Sequence, residues 1–371
     1  MSLPHSDSTE STCAVLACPS QEFQHLYDNE RLLTGDLSDE ALRSIIGPNR
    51  TRLREAETRC RLDDLLSAML EHAPHPLGRR YVAVSLHVAR EDGVVDAAKA
   101  WLDNLLLPML AISKAIKTEP ASSQTPTNDT TVQHVESASP TLRAKVALRE
   151  RYHCAITKAF DIARARKLSK EGRVGEVPNK VGQLPMEAAH IIPFLLNEFD
   201  DQLVSSLEIT WDMLRSWTQI DLRTLIGPNI DSPANAIYMT TVEHSTFGHF
   251  EFYLDKEAFP DIPNKYKVRM SQDGRLLTNG SREEDVEFPT LEESSVEPPN
   301  PDYLRVHAAF AKVLHLCGAA QYMDSVELDA EMEGTLRPNG ETDFGSYLQS
   351  KLLDTKRGVG RNRDNHRSPT A

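Results

Sequence analysis

The sequence predicts an α+β protein, and three observations carry that prediction. Apolar residues recur three or four apart through most of 36–117, the spacing of helices with one buried face. Two short strand-like runs follow in the middle of the chain, MEAAHIIPF at 186–194 and AIYM at 236–239. A last helical run, YLRVHAAFAKVLHLCGAA, has its glycine at Gly318.

Taken in order, residues 1–35 read as a mostly irregular N-terminus with a short ordered piece at QEFQHLYDNERLL. Residues 36–117 form a helical region of three or four helices, including TRLREAETRCRLDDLLSAMLEHA and VVDAAKAWLDNLLLPMLAISKAI. Residues 118–140 are rich in Ser, Thr and Pro and too poor in apolar groups to offset their ordering entropy, so they read as a linker. The next ordered domain spans 141–270, an acidic linker 271–300, a C-terminal helical segment 301–355 and a disordered basic tail 356–371. LRSIIGPN at 42–49 nearly returns as LRTLIGPN at 222–229, but the flanks differ, so the likeness is a shared helix stop rather than a domain repeat.

Bulk composition narrows the function. The 371 residues suffice for two or three domains, with 40% apolar and 26% charged residues, ordinary for a soluble globular protein. A formal charge of −14 argues against a surface built for indiscriminate nucleic-acid binding. The sign varies locally: between Arg143 and Lys180 there are 11 Lys or Arg against 4 acidic residues. Five cysteines are scattered with no C-x-x-C pair, which gives neither a zinc-finger spacing nor a disulfide framework. No secretory signal or membrane-spanning run is read, so the expected place is intracellular, nuclear or cytoplasmic, with no membrane partner.

Chemistry is concentrated in RYHCAIT at 151–157, MEAAHIIPF, and SPANAIYMTTVEHSTFGHF at 232–250. The first strand ends at Pro193, which cannot donate to a ladder. Thr240 and Glu243 have the spacing of a capping box and open a helix that carries His244. The order is thus a strand with a terminal His, a long connection, an Asn, a second strand, and a helix with a His.

With its C-x-I-T segment, A-A-H-I-I-P-F, S-P-x-N and H-x-x-F-G, this order resembles the HNH (ββα-metal) nuclease family, in the version seen in many fungal proteins. The likeness covers about 110 residues, and it implies a ββα-metal core, with the N-terminal helical region and the C-terminal helix around it. It also implies metal-dependent phosphodiester hydrolysis of DNA. His190 would be the general base, since a neutral imidazole with a pKa of about 6.5 accepts a proton near neutral pH. Asn235 would orient that ring through its amide oxygen, and His244 would ligate a divalent cation: Mg, Mn, Ni or Zn. His249 is a further candidate ligand, about 140° from His244 on an ideal helix and so in place only if the helix ends early. Arg164, Arg166 and Lys167 are candidate nucleic-acid contacts.

One departure favours a second reading. Where active members of the family often carry an acidic metal ligand just before the first His, this chain has Ala189, with Glu187 two residues earlier on the same strand face. The alternative is a catalytically diverged HNH fold, serving as a nucleic-acid or protein-binding module or recruited as an acid–base enzyme on a small molecule. Protein partners are not indicated by the sequence.

Overall fold

The structure is a computed structural model, and it describes residues 20–28, 36–115, 140–193, 201–220, 225, 227–271 and 276–332. The expected linker at 118–140 and the basic tail at 356–371 lie outside the described residues apart from Pro140, as does most of the N-terminal 35. The protein is α+β, with many helices and three small sheets.

The helical region opens with α1 (Gln21–Asp28) and α2 (Asp36–Glu40), then α3 (Arg50–Glu55), α4 (Leu62–Glu71), α5 (Pro76–Trp101) and α6 (Leu107–Ala115). Helix α5 begins as its sequence dictates: Pro76 occupies the first turn and the His75 ring accepts the Leu77 N–H. Its run breaks at Arg90, whose φ of 57° is non-helical. The fully buried Asp63 carboxylate faces Arg54 at 2.8 Å and Arg50 at 3.1 Å, so the α4 first turn holds a paired charge rather than a lone one.

The middle of the chain contributes α7 (Pro140–Arg149), β1 (Phe160–Asp161), α8 (Ile162–Lys170), β2 (Gln183–Leu184) and β3 (Met186–His190). After the long connection, with α9 (Asp201–Thr218), come β4 (Ala236–Thr240) and α10 (Thr241–Gly248). Strands β5 (Phe252–Asp255), β6 (Lys265–Met270) and β7 (Asp285–Glu287) then form an antiparallel sheet. Here the structure corrects the sequence: the acidic stretch expected as a linker supplies β7, whose Val286 is buried opposite Tyr266. Helices α11 (Leu291–Ser294), α12 (Pro301–Cys317) and α13 (Ala319–Met332) complete the described chain. Asn300 caps α12 by accepting the Asp302 N–H, Pro301 fills its first turn, and Gly318 ends it at φ 88°.

Two large cores result. One gathers the helical region with Met213, Leu214 and Trp217 of α9 and Val306, Phe310 and Leu314 of α12. Trp217 is fully buried and donates to the Met69 carbonyl, so the helix inserted between the two motif strands packs on the helical region. The other core lies among α7, β3, β4, α10 and the three-stranded sheet, with Ala189, Tyr238, Phe247, Phe252 and Val268 at its centre.

Candidate functional site

Strands β3 and β4 pair antiparallel from Met186↔Thr240 to His190↔Ala236, and α10 follows β4 without a loop. Thr240 is the hinge: its hydroxyl accepts the Glu243 N–H at 3.2 Å and also meets the Glu243 carboxylate. The second half of the expected capping box is replaced, because the other Glu243 oxygen accepts the Thr278 N–H instead of the cap's own. The helix stops at Gly248, as its glycine suggested. Its end is held from outside the motif: Ser113 of α6 donates to the Gly248 carbonyl, while His307 and His315 of α12 reach the Phe247 and Phe250 carbonyls.

His190 sits at the end of β3, almost buried, with Nε2 3.0 Å from Asp231 Oδ1. In the neutral ring, Nε2 is the protonated nitrogen when it faces that carboxylate, and Nδ1 carries the lone pair. Sequence reasoning missed Asp231; its one signal was an acidic residue four positions before Asn235 in IDSPAN.

Asn235 is fully buried and does not orient the imidazole through its amide oxygen. That oxygen accepts the Ile192 N–H at 2.9 Å, and its amide nitrogen donates to the carbonyls of Ile192 and Ile230. Its own backbone carbonyl accepts the Ile191 N–H. Asn235 therefore pins the chain just beyond His190 and just before Asp231, while the contact to the ring belongs to Asp231.

His244 lies on the second turn of α10, with Nδ1 2.7 Å from Glu187 Oε2. The strand pair thus brings together Glu187 and His244, which the sequence placed on neighbouring elements. His249 is not gathered with them. It caps the end of α10, and its ring nitrogen lies 3.9 Å from Glu251, so a joint ligand role with His244 is not what the fold provides. Among the described residues no group of three or more His, Cys, Asp or Glu converges to hold a metal ion. Ala189 is fully buried and supplies no donor.

The basic segment forms α8. Its first turn is capped by Asp161, which accepts the Ala163 N–H and receives the Tyr238 hydroxyl from β4 at 2.5 Å, tying the helix to the strand pair. Arg164 lies over the Tyr152 ring at 4.6 Å and is half-buried, whereas Arg166 and Lys167 are exposed. An open groove of about 470 Å³ runs beside them, lined among others by Arg166, Ser169, Lys170, Asn179 and Gln183.

Residues 154–255 match the family model described as HNH endonuclease. The matched segment covers a minority of the chain and runs from Cys154 through His190, His244 and His249 to the end of β5. No curated protein and no solved structure matches the chain. Among the described residues, no helix is long and apolar enough to cross a membrane.

The HNH family generally uses a divalent cation. Glu187 Oε2 lies 2.7 Å from His244 Nδ1, a hydrogen bond that orients the ring. With Nδ1 protonated toward Glu187, the lone pair of His244 is on Nε2, the usual arrangement of a carboxylate-oriented metal ligand. His244 Nε2, with Glu187 orienting the ring behind it, fits one position of a coordination shell, and the remaining positions fall to water and substrate oxygens, as magnesium commonly accepts.

Proposed function

We propose that β3, β4 and α10 form a ββα-metal core that hydrolyses phosphodiester bonds in DNA. The observation that carries this reading is the His190–Asp231 pair at the end of β3, inside the segment that matches the HNH endonucleases. His190 takes a proton from a water that attacks phosphorus, and Asp231 fixes the ring's orientation and tautomer. Asn235 keeps the backbone on either side of that pair in place. His244, oriented by Glu187, would hold a divalent cation through Nε2, and that ion would polarise the phosphate and neutralise the departing oxygen. The exposed Arg166 and Lys167 of α8 would bind backbone phosphates without reading sequence.

A second reading has its own observations. Ala189 leaves the position beside His190 without a donor, and Glu187 stands two residues, about 7 Å, further back along the strand. This spacing favours a diverged core that binds nucleic acid or another partner without cutting. The test is supercoiled plasmid incubated with Mg²⁺, Mn²⁺, Ni²⁺ or Zn²⁺ in turn, using wild type, His190→Ala and Asp231→Asn. Nicking with at least one ion, lost in His190→Ala and at least tenfold slower in Asp231→Asn, supports the nuclease. Intact plasmid with every ion overturns it; retained binding that weakens in Arg166→Ala/Lys167→Ala then identifies the diverged module.

A further inference from the structure

Cys60 and Cys317 are 257 residues apart in sequence and unconnected by any motif spacing, yet the fold sets them side by side. Arg61, the residue after Cys60, donates its backbone N–H to the Cys317 carbonyl at 2.8 Å. Across a trans peptide that N–H lies on the side of the preceding Cα, so the bond brings the Cys60 and Cys317 Cα atoms within the roughly 4–7 Å that a disulfide spans. The two thiols lie close enough to shift one another's proton affinity. Cys317 is fully buried and Cys60 is 6% exposed, both beneath Arg61, whose side chain is half in solvent and donates to the Leu316 carbonyl at 2.6 Å.

We propose that Cys60 and Cys317 form a peroxide-responsive disulfide that fastens the start of α4 to the end of α12. The surroundings divide the roles. Cys317 stands between two helices: it closes α12, and α13 begins two residues later at Ala319. The neighbouring Cys60 thiol comes first in holding the Cys317 thiol below its ordinary range, and the adjacent Ala319 backbone and the Arg61 charge add to it, against burial. The Cys60 thiol is pushed up by the neighbouring Cys317 thiol and by burial, which suits the resolving partner.

The chemistry balances with one peroxide. The Cys317 thiolate attacks a peroxide oxygen, the O–O bond breaks, and the leaving hydroxide takes up a proton to give water. The Cys60 sulfur then attacks the sulfenic sulfur of Cys317; its proton leaves with the displaced hydroxyl as a second water. Each sulfur loses one electron and the peroxide gains two, so two thiols and one peroxide give one disulfide and two waters.

The consequence is mechanical. Helix α12 carries His307 and His315, which hold the carbonyls at and beyond the end of α10, so a bond at Cys317 ties that support to the helical region. It closes a very long loop, the case in which a cross-link restricts the unfolded chain most.

The test uses the full chain, reduced, then treated with stoichiometric hydrogen peroxide, alkylated with N-ethylmaleimide and digested for peptide mapping. The expected result is a Cys60–Cys317 linked peptide, loss of two hydrogens in intact mass, and a melting temperature several degrees higher that dithiothreitol reverses. The rise is absent in Cys60→Ser and in Cys317→Ser. The mapping needs no variant, so it decides even if either substitution impairs folding. Folded, peroxide-treated protein with both thiols still alkylated, a sulfinic acid at either without the link, or a link to Cys13, Cys18 or Cys154 instead overturns the proposal.

Discussion

His307 shows how one side chain sets a limit on the conditions the fold tolerates. Its ring stacks on Phe247 at 3.7 Å and donates from Nε2 to the Phe247 carbonyl, while Nδ1 is buried with no hydrogen-bond partner among the described residues. Burial drives its pKa down to about 3 from an ordinary 6.5, the hydrogen bond opposing only in part. Below pH 6.5 the unfolded chain therefore takes a proton that the folded chain refuses until about pH 3, and stability is lost as pH falls through that window. By pH 5 the loss is about 2 kcal/mol. Glu150 acts in the opposite sense. Burial lifts its carboxyl to about 7, against the attraction of Arg149, so the folded chain takes that proton first and gains stability as pH falls from 7 toward 4.5. The two effects mask each other in the wild type, so the informative quantity is a difference. His307→Gln keeps an N–H for the Phe247 carbonyl but does not titrate. Between pH 7 and pH 5, urea unfolding is expected to show the wild type losing about 2 kcal/mol more than His307→Gln. Equal losses would mean that the ring is not buried neutral.

Contacts between elements explain both what could be read in the sequence and what could not. Helix α5 meets α9 at Gly78, where an added Cβ would stand 1.7 Å from the Trp217 carbonyl oxygen and 2.6 Å from its carbon. These are backbone atoms and cannot rotate aside. Gly78→Ala should therefore cost about 1–3 kcal/mol or more, although alanine favours a helix over glycine by about 1 kcal/mol. Gly93, whose added Cβ would meet the Ala89 methyl at an ordinary 3.4 Å, serves as the control, with Gly93→Ala expected to be neutral or stabilising. A Gly78→Ala melting temperature at or above that of the wild type would contradict the close approach. The strand and helix of the motif were legible because their signals are local: Pro193 after β3, Thr240 before α10, Gly248 at its end. The positions of His190 and His244 followed from the same signals. Asp231 did not, because its pairing with His190 depends on how a long connection returns. Nor did the true task of Asn235, since backbone partners leave no trace in side-chain spacing. Strand β7 hid in an acidic run because its edge exposes Asp285 and Glu287 and buries one residue, Val286, too short an alternation to recognise.

At the scale of the whole molecule, the helical region and the segment that matches the HNH endonuclease model share buried material. The larger core contains Ile192 and Phe250 from the matched segment, Trp217 from the helix inserted within it, and Phe310 from α12, together with Leu65, Leu66 and Trp101 of the helical region. Trp217 and Phe310 meet edge to face at 5.2 Å, so α9 and α12 contact each other as well as the helices around them. Removing the helical region would uncover this face of α9 and α12 and free the end of α10 from Ser113. Each large apolar side chain so exposed forfeits about 1.5–3 kcal/mol of burial, and a few of them equal the entire stability of an ordinary domain. A chain shortened to residues 141–332 is therefore expected to lack a cooperative thermal transition and to bind the dye ANS, while the full chain unfolds in one step. Calorimetry and near-ultraviolet circular dichroism on the two proteins decide the matter. If the shortened chain melts cooperatively with fixed aromatic signals, the strand–strand–helix unit carries its own stability, and the shared core serves instead to place the helical region beside the site.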